Sequence, residues 1–75
     1  MQTHLAAYVA RLRALEAPSP ALAAYIDGVA ERVRLNAENW AADDWAARSA
    51  VLDARCIRRW EALTAADQQR ARSVA

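Results

Sequence analysis

Seventy-five residues make one domain at most, and a chain of this length buries only about 60% of the surface it exposes when unfolded, so its core is thin. Ten Arg stand against nine Asp and Glu, with no Lys, which leaves a formal charge of +1 and none of the cation excess of a phosphate-gripping domain. A single Cys rules out an internal disulfide, a single Gly excludes a glycine-rich phosphate loop, and charged residues such as Arg11, Arg13, Glu31, Arg32, Arg48 and Arg55 interrupt every apolar run before the ~20 residues of a membrane span.

The first predicted helix covers about residues 4–16. Leu5, Tyr8, Val9, Leu12 and Leu15 recur at intervals of three and four, Thr3 is placed as its N-cap, and Arg11, Arg13 and Glu16 fall toward solvent. Pro18 ends it. Ser19-Pro20 reads as a new start, with Ser at the cap and Pro in the first turn, where its missing N–H costs nothing.

The second predicted helix runs over about residues 20–38, with Leu22, Ile26, Val29, Val33 and Trp40 inside a band of about 60° and Tyr25 beside it, so one buried face is expected. Gly28 lies opposite that band; it costs about 1 kcal/mol against Ala in a helix interior and lets another backbone come close. Asp43 is then placed as an N-cap and Asp44 in the first turn of a third helix over about residues 44–62, whose stripe is Trp45, Ser49, Leu52, Cys56 and Trp60, continued by Leu63. Thr64 with Asp67 forms an imperfect capping box for a short helix at about 65–73. With no period-two alternation to support a sheet, the expected fold is all-α, a small antiparallel three-helix bundle with a short fourth C-terminal helix in a single domain over residues 1–75.

Chemistry has little to work with. His4 sits in a fraying first turn without a third group to hold it as a base, Cys56 falls on a buried stripe where a thiol behaves as a small hydrophobe, and Asp43 and Asp44 diverge by about 100° on a helix. No catalytic residue, metal site, cofactor or small-molecule substrate is therefore expected, and the chain reads as a non-enzyme. Met1-Gln2-Thr3-His4 lacks the basic and apolar blocks of a secretory signal, so a cytoplasmic location without membrane association is expected.

The telling residues lie off the stripes. Leu35 projects from the back of the second helix, and Val51 and Ile57 flank the stripe of the third at about 120° on either side, more apolar surface than a lone bundle covers. These three are read as anchors of a protein-binding surface, with Arg55, Arg58 and Arg59 as its polar rim, meeting a protein partner or a second copy. The size suits a small modulator or inhibitor of the kind encoded by a phage or mobile element, by analogy alone. The rival reading is a DNA- or RNA-binding regulator using Arg58, Arg59, Gln68, Gln69, Arg70 and Arg72.

Overall fold

The computed structural model describes residues 4–38 and 43–75, and these form four helices: α1 His4–Arg13, α2 Pro20–Asn36, α3 Trp45–Glu61 and α4 Ala65–Ser73. Thr3 and Trp40 lie outside the described residues, and with them the proposed cap of α1 and the last position of the α2 stripe.

Two helix starts follow from capping chemistry. The Ser19 hydroxyl accepts from the Leu22 N–H at 3.1 Å ahead of Pro20, and the Thr64 hydroxyl accepts from the Asp67 N–H at 3.2 Å. The third start differs from expectation. Asp44, not Asp43, occupies the cap of α3 and makes no side-chain capping bond, because its backbone is already helical (φ −92°, ψ −3°) rather than extended. α1 also ends earlier than its periodicity suggests. After Arg13 the chain tightens into i→i+3 bonds, Ala14 N–H to Arg11 O and Leu15 N–H to Leu12 O, and then turns through Ala17 at φ 44°. Pro18 disfavours the right-handed helical region at the residue before it, so the helix does not continue through Ala17.

α2 is the axis of the molecule. One side of it, Leu22, Ile26 and Val29, meets Val9 and Leu12 of α1, as the stripes predict. The opposite side, with Ala24, Gly28, Glu31 and Leu35, meets α3, so α2 buries two faces where one is expected from its stripe. α2 therefore packs against both α1 and α3, which make no comparable contact with each other. Helices at the usual spacing of about 8–10 Å would span roughly 21–25 Å if laid three abreast, and the observed breadth is 26 Å. The arrangement is a row of three rather than a closed triangle.

α4 crosses the end of this row and seals it. Leu63 and Ala71 join Leu12, Leu22 and Ile26 in one apolar cluster, with Tyr8, Leu15, Tyr25, Trp60 and Val74 packed against it. Polar ties hold the same end: the Ser19 hydroxyl donates to Asp67 Oδ2 at 2.6 Å, Tyr8 Oη donates to the Ala71 carbonyl at 3.2 Å, and Arg11 and Arg70 donate to the carbonyls of Val74 and Glu16. The open row has a measurable cost in exposure. The accessible surface is 5006 Å², about 400 Å² above what a folded monomer of 8.3 kDa presents, and the radius of gyration is 12.9 Å where about 11.3 Å is usual for this length.

Candidate functional site

α3 is amphipathic in an unusual sense, because much of its charge faces its neighbour and much of its outer side is apolar. Arg48 makes a two-point contact with Glu38, just past the end of α2 (2.7 and 3.3 Å), Arg55 reaches Glu31 (3.1 Å), Asp53 receives Arg32 (2.9 Å), and the Arg59 guanidinium donates to the Ala24 carbonyl at 3.0 Å. The Trp45 indole N–H adds a bond to the Leu35 carbonyl at 3.1 Å, near the end of α2. Between these contacts the packing is tight. A Cβ added to Gly28 would meet Arg59 Nη1 at 3.0 Å and Cys56 Sγ at 3.3 Å, so glycine here admits side chains of α3 rather than the close backbone that its position suggests.

With Arg48, Arg55 and Arg59 tied to the α2 side, α3 turns Ala46, Ala47, Ala50, Val51, Ala54 and Ile57 to solvent. Val51 is 55% exposed and Ile57 58% exposed, and they are the exposed large hydrophobic residues among those described. Helical periodicity places them about 60° to either side of Ala54, so they edge a strip whose centre is alanine. Beside Val51 a groove of about 430 Å³ opens between α2 and α3, lined by Leu35, Leu52, Ala47, Glu31 and Glu38 together with Arg34 and Arg48.

The structure redistributes the residues singled out from sequence. Leu35 is 3% exposed and floors the groove, because the face of α2 that carries it packs on α3; it is not an exposed anchor. Arg55 is ion-paired with Glu31 and Arg59 is hydrogen-bonded to the Ala24 carbonyl, so of the expected cationic rim Arg58 is the one with neither kind of contact among the described residues. It does not pair with Glu61 either, as their spacing on the helix would suggest, whereas Asp44 does approach Arg48, at 4.0 Å.

The six residues of the nucleic-acid reading do not converge on one free patch. Gln68 donates to the Trp60 carbonyl, Arg70 to that of Glu16, Arg72 lies 5.3 Å over the Trp60 ring and Arg59 is bound within the α2–α3 seam, which leaves Arg58 and Gln69. Cys56 is 6% exposed, and burial raises its thiol pKa against the opposing pull of Arg32 and Arg59. Burial likewise raises Tyr25, which is hydrogen-bonded to Tyr8.

Among the described residues no group of three His, Cys, Asp or Glu side chains could hold a metal ion, and no helix is long and apolar enough to cross a membrane. What sequence reasoning missed is the inward commitment of the arginines. A signal for it exists: Glu31 on α2 and Glu38 just past its end are seven residues apart, as are Arg48 and Arg55 on α3, which is the register of two antiparallel segments joined by charge. In comparisons with protein-family models, curated proteins and solved structures, the chain matches none of them.

Proposed function

We propose that this chain is a non-enzymatic protein–protein interaction module that docks through the outer face of α3. The observation that supports this reading is the exposure of Val51 and Ile57 on an alanine-rich face of a helix whose arginines are largely occupied elsewhere. Single exposed hydrophobic residues are ordinary, but here two of them edge a continuous strip of small side chains, a shape suited to close approach by another helix. The anchors are Val51 and Ile57; Arg58 supplies the polar edge.

The test is a double variant, Val51→Asp with Ile57→Asp, whose helical content is first checked by circular dichroism. The wild type is expected to associate, with itself or with a protein of its native host, and the double variant to lose that association. Equal behaviour of the two proteins in self-association and in host-extract capture overturns the reading.

A further inference from the structure

We infer that α4 is a latch: it undocks as a unit from the row of α1, α2 and α3, which stays folded, and in leaving it uncovers the apolar end around Leu12 and Leu22. The outer face of α3 takes no part in this movement. Between Leu63 and Val74 the apolar residues are Ala65, Ala66 and Ala71, and Ala71 is the buried side chain of the helix. An alanine methyl removes little area from water, so α4 brings little apolar surface of its own to the contact. The extensive helix pairings are α1 with α2 and α2 with α3, and α4 makes none comparable with any helix. The row also has packing of its own, because Val9, Val29 and Ala30 close the α1–α2 contact in a cluster without a member from α4.

Polar ties to distant segments hold α4 in place. The Ser19 hydroxyl donates to Asp67 Oδ2 and Tyr8 Oη to the Ala71 carbonyl, while Arg11 and Arg70 brace the end in opposite directions, one from α1 to the Val74 carbonyl and one from α4 to the Glu16 carbonyl. Each of these bonds is exchanged for one with water when α4 leaves, so its net contribution is small. The buried apolar contacts of the row have no such substitute. Elements with few buried apolar contacts and hydrogen bonds near the surface are the first to open. A nine-residue helix is marginal alone in water, so α4 loses its helix as it undocks and its amides become open to exchange.

Opening leaves the pivot behind. The Leu63 N–H bonds back to the Trp60 carbonyl, so Leu63 continues the last turn of α3 and stays with the row. With α4 in place Leu12 and Leu22 are fully buried and Leu15, Tyr25 and Trp60 are partly buried against them. With α4 released, the part of this cluster that Ala71 and Val74 cover faces water, and α4 thereby controls when the apolar end is accessible.

Hydrogen exchange of the full chain, followed amide by amide by NMR, is the experiment. The α4 amides from Gln68 to Ser73 are expected to show protection at least about tenfold below that of Ile26 and Val29 in α2. Two variants separate a latch from a fraying end and from all-or-none unfolding. Asp67→Ala removes the acceptor of Ser19 and is expected to lower protection about fivefold at every α4 amide alike. Val29→Ala weakens the closed and the open forms equally, so it is expected to lower protection in α2 and to leave that of α4 unchanged; Arg55→Met, a milder change in the row, serves the same purpose if Val29→Ala does not fold. Protection of α4 equal to that of α2, or falling with it in the row variant, overturns the latch, as does a loss in Asp67→Ala confined to part of α4.

Discussion

The two sides of α2 are held by different physics. Toward α1 and α4 the contacts are mainly apolar: Leu12 and Leu22 are fully buried, and Ile26, Leu63 and Ala71 close around them. Toward α3 the contacts apart from Leu35 are largely small or polar, with Gly28 against Cys56 and Arg59, three arginine contacts between the two helices and a fourth from Arg48 to Glu38 just past α2. The first side derives its stability from area removed from water, at about 25 cal/mol per Å². The second fixes register and orientation, because partly exposed ion pairs contribute about 0–1 kcal/mol each while a matched set accepts only one alignment.

The contrast predicts a ranking of effects in chemical denaturation. Leu22→Ala or Leu12→Ala empties a fully buried site and is expected to destabilise by about 2–5 kcal/mol, enough to unfold a domain of this size; a loss below about 1 kcal/mol would break the claim that this side holds the fold. Gly28→Leu forces the seam apart and is expected to cost about 1–3 kcal/mol, with the helical signal retained. Asp67→Ala removes the acceptor of Ser19 and is expected to cost about 1 kcal/mol, loosening the end that α4 seals.

Smaller effects sharpen the seam itself. Arg55→Met is expected to cost no more than about 1 kcal/mol and the cost to shrink in high salt, whereas a salt-independent loss would mean that packing rather than charge aligns α3. Raising the pH tests the same region without mutation. Burial holds both Cys56 and Tyr25 in their neutral forms, with folded-state pKa values above the unfolded ones, so their contribution is intact below the ordinary thiol value of about 8.5. It then declines as the pH rises through the ordinary Cys and Tyr values, and the melting temperature should fall over that interval. The smallest expected effect is a gain: Ala17→Gly relieves a left-handed backbone at φ 44° and should stabilise by about 0.5–1 kcal/mol.

Sequence reading recovers the apolar side of α2 well and the polar side poorly, for a physical reason. Leu12, Leu22 and Ile26 announce themselves by hydrophobic period, and Ser19-Pro20 and Thr64 by capping chemistry, so the four helices and the α1–α2 contact are legible. The α3-facing side of α2 is built from Ala24, Gly28 and Glu31, with Leu35 the one large hydrophobe among them, and so yields no stripe. Leu35 thus looks isolated on the back of a helix when it is the floor of a groove. Val51 and Ile57 are exposed where their angular position puts them, because the outer face of α3 has no neighbour among the described residues to alter that geometry. Arg55 and Arg59 are misjudged because periodicity assigns a long side chain to a face but not to the partner its far end reaches.

α3 turns Arg48, Arg55 and Arg59 toward the α2 side and Val51 and Ile57 toward solvent. The most direct test of this arrangement is methyl NMR of the dilute protein with a soluble paramagnetic agent, reading solvent access at each methyl group. Strong relaxation of the Val51 and Ile57 methyls and near-complete protection of Leu35 and Val29 are expected. Protection of Val51 and Ile57 equal to that of Leu35 in the monomer would contradict it.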